Sequence, residues 1–502
     1  MSLRKTIAAR PALIAALCLV AAVPAAVPAS ARPLRAPAPS QPNIVVILTD
    51  DQRTDQFAKM PNVQSQLLDK GVYFANSFVS NPLCCPSRTT LLTGQTSGHT
   101  GVWWSTPRDP YGGFPAFLPP KDSQTIAVWL HDAGYDTALV GKYLNSYNMK
   151  NYTVVGHQGY VPPGWDNWYA WVEGNGRQTP PCEKGGYYNW CSFDGSNLVF
   201  HGSSSADYST TVFAQHAADF IDNAPANKPL FLYFTPHAPH GPMQPDPKYK
   251  RTCSDQQLPM PPSFNEQDVS DKPKFIQKLP LLTQKKINKK SKDWQDACST
   301  LRSVDDSVGT LIDALQETGR LSNTLILYAS DNGLAYGEHR VIGKAVGYEE
   351  SIRVPLIIRY DPITAPVAGE TSDEQVVNLD YASTMADAAG VTPGISQDGM
   401  SLMPLVADPS ATLPRDGFVI EHHALKDAIP DYCGVRDHDW MYAQYGDGEE
   451  ELYDLDPGSP TYDPYELQNQ ASNPAFSSTL DAERSKAHTL CDPPPPGWTW
   501  HH

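Results

Sequence analysis

Beyond its first 31 residues the sequence has no long apolar stretch, so nothing there reads as a membrane-spanning helix. It is also short of positive charge: 38 Lys and Arg stand against 55 Asp and Glu, a formal charge of −17. The first 31 residues hold Arg4, Lys5 and Arg10 and no acid, so the remainder is more acidic still. A balance of that sign argues against nucleic-acid binding. No internal repeat is visible, which argues against a repeat architecture. What is present is a chain of 502 residues, 40% apolar with eleven tryptophans. That is enough for one large domain and a smaller one.

The N-terminus reads as a secretory signal. Residues 1–10 form a short basic start, "ALIAALCLVAAV" is apolar but too short to span a bilayer, and "ASA" at 29–31 offers a small-residue cleavage site. Residues 32–42 are Pro- and Ala-rich and read as a linker. The expectation is an exported protein without stable membrane insertion. Loss of Cys18 with the signal leaves eight cysteines, most of which an oxidising compartment would pair. Cys182 and Cys191 bracket a Gly-Gly-Tyr-Tyr turn and are the preferred bridge, while the pairing of Cys253, Cys298, Cys433 and Cys491 stays open. Cys84 and Cys85 are adjacent, a spacing that rarely meets disulfide geometry, and are expected to be unpaired.

Four apolar runs end in chemically capable residues: "NIVVILTDD" from 43, "TALVGKYLN" (137–145), "PLFLYFTPHAPH" (229–240) and "TLILYASDNG" (324–333). Helical stretches lie between them, among them one placing Leu301, Val304, Val308, Leu311, Ile312 and Leu315 at helical spacing. Alternation of this kind predicts an α/β fold, a large, mostly parallel sheet flanked by helices over 43–400. Ligands bind such sheets at the carboxyl ends of the strands, so the four strand ends predict one site. From 401 to 490, "GFVIEHH", "DYCGVRDHDWMYAQY" and "EEELYDLDP" read as a smaller subdomain with an antiparallel sheet, and 491–502 as a Pro-rich tail. The basic run "QKKINKKSK" (284–292) reads as a solvated loop, or else a contact for an anionic polymer.

Asp50, Asp51, Asp331 and Asn332 carry oxygen at two of those strand ends, a set suited to Ca²⁺ or Mg²⁺ and not to zinc. A soft thiolate does not belong beside a hard cation, so a cysteine brought to the same site is mismatched unless converted to an oxygen group. Cys84-Cys85-Pro86-Ser87-Arg88, followed by "TTL", Leu92, Thr93 and Gly94, resembles the sulfatase signature. "GYDTALVGKY", "APHGP", "SDNG" and "GKAVGYEESIRVPLIIR" resemble further segments of that family, and "ELYDLDP…DPYELQN" its C-terminal subdomain.

The resemblance implies an alkaline-phosphatase-like fold and a Cys84 oxidised to formylglycine by a formylglycine-generating enzyme. The hydrated aldehyde would attack sulfur and expel the alcohol. It further implies Ca²⁺, with Mg²⁺ the lesser choice, held by Asp50, Asp51, Asp331, Asn332 and the modified Cys84. Lys142 and Lys344 would bind sulfate oxygens, Arg88 would orient the nucleophile, and His240 would serve the leaving group. Many members carry a histidine at the position of Leu144; His237 and His339 are the candidates to replace it, although neither they nor His422 and His423 have motif support. The doubled cysteine, "GKYLNSYN" and "YVPPGWDNWYAW" resemble the N-acetylglucosamine-6-sulfatases. That likeness implies a 6-O-sulfated sugar or polysaccharide as substrate, with Trp165, Trp168, Tyr169 and Trp171 either packing on it or buried in the core. General arylsulfatase, phosphoesterase or phosphonate hydrolase, and a glycan-binding protein with unmodified Cys84 are the alternatives.

Overall fold

The computed structural model describes residues 41–107, 110–147, 159–173, 182, 186–424 and 428–501. The expected signal and most of the linker lie outside the described residues. Ten strands form the main sheet: β1 (Asn43–Thr49), β2 (Val72–Phe78), β3 (Asp136–Gly141), β4 (Asn167–Trp171), β5 (Trp190–Asp194), β6 (Asn197–His201), β7 (Leu230–Thr235), β8 (Thr324–Ser330), β9 (Leu356–Arg359) and β10 (Thr371–Val377). Their spatial order is β10-β2-β9-β8-β1-β7-β3-β4-β5-β6. The centre, β8-β1-β7-β3-β4, is parallel. Antiparallel pairings appear toward both sides, at β8/β9, β9/β2, β4/β5 and β5/β6.

Burial explains the central pattern. All seven residues of β1 are buried, as a parallel strand covered on both faces requires. Ile44, Val46 and Leu48 face a core shared with Leu91 and Leu92 of helix α1 (Cys84–Thr93) and Met385 and Ala386 of α4 (Asp380–Ala389). Val45 and Ile47 face the opposite core, with Phe213, Ala217 and Ile221 of α2 (Ser209–Asn223) and Leu301, Val304, Val308, Leu311 and Leu315 of α3 (Gln284–Glu317). The run at 284–292 is the first part of α3, not a loop. Thr283 caps the helix, and Lys289 and Lys290 pair with Asp293 and Lys292 with Asp296, at the three- and four-residue spacings a helix brings together.

A second sheet, β11 (Phe418–His422), β12 (Tyr432–Arg436), β13 (Trp440–Tyr445) and β14 (Glu450–Asp454), is antiparallel throughout. Val435, Tyr442 and Leu452 bury one of its faces against Leu480 and Ala487 of α5 (Ser477–Leu490). Three disulfides form: Cys182–Cys191, as the turn suggested, Cys253–Cys298 and Cys433–Cys491. Cys84 and Cys85 are free and buried.

Candidate active site

Register places the site. Thr49 pairs with Ser330 and Gly141 with Thr235, so β1, β8, β3 and β7 end level at one edge. The next residues are Asp50, Asp331 and Lys142, with His237 and His240 just beyond β7. Gly141 allows this convergence: a Cβ there would stand 2.1 Å from the Thr235 carbonyl oxygen, and its φ of +121° suits only glycine. Asp51 adopts φ 70° without that freedom, and His339, Arg340 and Ala345, in the loop that follows β8, also have positive φ, a distribution typical of functional segments.

Cys84 enters from a helix start. Leu83 is extended, Cys84 opens α1, and Pro86 sits in the first turn, where its missing N–H costs no helical bond. Gly94 closes the helix at φ 69°. The Cys84 thiol lies 3.4 Å from Asp50 Oδ1 and 2.7 Å from Lys344 Nζ. Donor atoms of Asp50, Asp51, Cys84 and His240 all lie within 4.8 Å of one another.

The remaining residues lock this group. Lys142 Nζ donates to Asp50 Oδ2 at 2.6 Å. Arg88, wholly buried, donates from Nε to Asp331 Oδ2 and from Nη1 to the Lys142 carbonyl, both at 2.8 Å. Its Nη2 stands 3.7 Å from Asp50 Oδ2 and has no hydrogen-bond partner among the described residues. Asp331 Oδ1 accepts from the Asp51 amide at 3.1 Å, so both oxygens of Asp331 are engaged. Lys344 Nζ sits among Asp51 Oδ1, Cys84 Sγ and Asn332 Oδ1. The Lys344 ammonium thus sits among three of the expected metal ligands.

Charge follows geometry. Burial alone would raise Asp50, but Lys142, His240, Arg88 and Lys344 together hold its carboxyl well below the usual range. Against the same burial, Lys344 and His240 hold Asp51 down. Burial, then Asp331 and Asp50, push the Cys84 thiol well above its ordinary value. An unmodified Cys84 is therefore a protonated thiol and a poor nucleophile. Cys85 is pushed up to about 12, chiefly by burial, and its amide donates to Ser105 Oγ at 3.3 Å.

Of the two histidines offered in place of one at Leu144, His237 is at the site, with Nδ1 3.8 Å from Asp50 Oδ2. Burial, then His240, hold it well below its usual value, so it stays neutral. His339 instead stacks on Tyr348 and bonds Glu266. Trp171, expected on a sugar or in the core, and Tyr187, which sequence reasoning did not connect to the site, flank the His237 ring; the Tyr187 hydroxyl also donates to the His240 carbonyl. Buried aromatics carry no sequence mark that separates a second layer from ordinary core.

Of the two readings of the aromatic segment, sugar platform or core, Trp165, Trp168 and Tyr169 follow the second. Trp165 stacks on Phe231 and Tyr233, Trp168 donates to the Tyr147 hydroxyl, and Tyr169 stacks on His216. All three are core residues. Asp166, between them, is held by Thr137. Of the residues gathered at the site, His240 and Lys344 are the ones that reach solvent, at 31% and 16% exposure.

Comparison with known proteins places this geometry. The profile described as "Sulfatase" matches residues 42–391, and that described as "N-sulphoglucosamine sulphohydrolase, C-terminal" matches 337–490. The chain is 32% identical over 399 residues to the N-acetylglucosamine-6-sulfatase of Homo sapiens, covering 76% of this chain and 67% of that protein. It is 31% identical over 385 residues to an extracellular sulfatase Sulf-1 homolog of Caenorhabditis elegans, covering 73% of this chain but only 49% of the relative, about half its length. The fold matches a protein solved with its substrate D-glucosamine-2-N,6-O-disulfate (TM-score 0.74, 24% identity, 90% of this chain and 98% of that one). It also matches the phosphonate monoester hydrolase of Agrobacterium radiobacter (TM-score 0.68, 20% identity, 90% and 96%).

Proposed function

The chain belongs to the sulfatase family, whose members are sulfuric ester hydrolases, and from that premise we propose that it is a secreted, formylglycine-dependent sulfatase acting on the 6-O-sulfate of N-acetylglucosamine in a glycosaminoglycan-like chain. The observation that carries the reading is Cys84 at the start of α1, between Asp50 and Lys344, as a buried thiol among hard oxygen atoms. Formylglycine at position 84 fits there. Hydrated, it supplies one hydroxyl to attack sulfur and a second to release sulfate, and an oxygen-bearing side chain suits the unpartnered donor of Arg88. A hard cation also fits Asp50, Asp51, Asp331 and Asn332 with the modified residue 84; bound there, it would polarise the sulfate and offset its developing charge.

The chain's own residues have separable tasks. Lys344, partly exposed and beside Cys84, is placed to meet a sulfate oxygen as a point charge. Lys142 is buried on Asp50 and acts by fixing that carboxylate in its charged form. Arg88 ties the ends of β3 and β8 to α1. His240 donates from Nδ1 to the Gly241 carbonyl at 2.7 Å, which leaves Nε2 to hold or release a proton at the opening. His240→Ala should then lower kcat on a sugar sulfate by about 10²–10⁴-fold and hurt a nitrophenyl sulfate much less, because a good leaving group needs no proton. Equal losses on both would contradict the acid role.

Export is supported by the three disulfides and by the expected signal. Substrate choice rests on the named relatives, since the tryptophans weighed between sugar and core are core. A general arylsulfatase is the second reading, favoured by 32% identity over 510 residues to the arylsulfatase of Volvox carteri. In one buffer, glucosamine-6-sulfate should give a higher kcat/KM than galactose-6-sulfate, a 2-O-sulfated uronate or a simple aryl sulfate. Good cleavage of the aryl ester with poor cleavage of every sugar would leave the second reading.

A further inference from the structure

We propose that His339, Glu350 and Glu466 form a second divalent-cation site, distinct from that of Asp50 and Asp51, and that its ion is zinc. One donor atom from each of the three lies within 4.8 Å of the others. His339 Nε2, Glu350 Oε2 and Glu466 Oε1 are buried and have no hydrogen-bond partner among the described residues. His339 and Glu466 are each 1% exposed. Three unpartnered buried polar atoms on neighbouring side chains, two of them wholly buried and Glu350 half-buried, are costly unless something binds them.

The second heteroatom of each residue is already engaged in the way that orients a metal ligand. His339 Nδ1 bonds Glu266 Oε2 at 2.8 Å, which turns Nε2 to the ligand side, and the ring stacks on Tyr348 with centroids 4.1 Å apart. Glu466 Oε2 accepts from the Glu349 amide at 3.0 Å, and Glu350 Oε1 from Ser263 Oγ at 3.4 Å. Nearby cations pair elsewhere: Arg436 with Glu349, Arg53 with Glu338 and Asp55, and Lys272 with Glu266 and Asp271. Glu350 and Glu466 thus face each other with no direct ion pair of their own among the described residues, Arg53 and Arg436 acting on them only from their pairings elsewhere.

One imidazole nitrogen and two carboxylates suit zinc, whereas calcium takes oxygen alone. Glu350 also lines a cleft with Arg53, Glu349, Pro464 and Tyr465, which gives the ion an entry path. His339 lies in the loop that carries Asp331, Asn332 and Lys344, and Glu466 follows β14. An ion there would pin the catalytic loop to the C-terminal part of the chain.

Metal analysis separates the two sites. Protein equilibrated with zinc and calcium, then passed through metal-free buffer, should retain about one zinc per chain, the single-site expectation. Glu466→Gln and His339→Ala should lose that zinc and keep calcium, while Asp51→Asn should lose calcium and keep zinc. Cobalt in place of zinc should give a visible absorption band in the wild type that Glu466→Gln lacks. This isosteric change keeps the test decisive if His339→Ala fails to fold. Wild-type protein that retains no zinc, or equal zinc in wild type and Glu466→Gln, would overturn the proposal, the first result pointing to a proton shared between Glu350 and Glu466. Neither result bears on the sulfatase reading, which Asp51→Asn and activity assays test separately.

Discussion

Cys84→Ala should lower sulfatase activity by on the order of 10⁴-fold or more, the scale of losing a covalent nucleophile. Cys84→Ser should lose multiple turnover as well, because a serine hydroxyl can attack but carries no second hydroxyl with which to release sulfate. Cys85→Ala, one residue away, should cost only packing, on the order of 1 kcal/mol of stability, with kcat nearly unchanged. The contrast follows from position. Cys84 Sγ touches Lys344 and Asp50, whereas Cys85 packs in the core with Leu91 and Leu92. Urea denaturation alongside steady-state rates would check it. An active Cys84→Ala protein, or equal losses at 84 and 85, would remove position 84 from the chemistry.

The second large effect is expected at the cation. Asp51→Asn keeps shape and removes one charge, and should cost on the order of 10²–10³-fold in kcat or more, comparable to losing a principal electrostatic contact in a transition state. Calcium measured on the protein should fall with it from about one per chain, the single-site expectation, to a small fraction. Chelation of the wild type should cause the same loss, and added calcium should restore it more fully than magnesium. Full activity after chelation to undetectable metal would contradict this account of Asp50, Asp51, Asp331 and Asn332.

The legible part of the fold was the part with one-dimensional signatures. β1 reads as a central strand because it is apolar at every position and ends in Asp50 and Asp51. The core face of α3 was visible as helical spacing from Leu301 to Leu315. The start of α3 was not, because "QKKINKKSK" has hardly an apolar residue and its helicity rests on the Thr283 cap and on pairs with acids further along. The sheet's antiparallel flanks were equally hidden, since strand direction depends on connections that composition does not record.

At the site, strand-end acids and the Cys84 motif were legible because chemistry restricts the residue types. The aromatic segment was ambiguous for the opposite reason: Trp165 and Trp168 serve a core as readily as a sugar, and here the core holds them. His237 lay between, flagged only by its place after β7, with its partners Trp171 and Tyr187 supplied by distant segments.

The most direct test of the central claim is the mass of the peptide that contains residue 84, taken from active protein. Exchange of the thiol and one hydrogen for a double-bonded oxygen predicts a peptide about 18 Da lighter than the encoded sequence, with the difference at Cys84 and not at Cys85. A fully active preparation whose peptide carries the unmodified thiol at position 84 would contradict it.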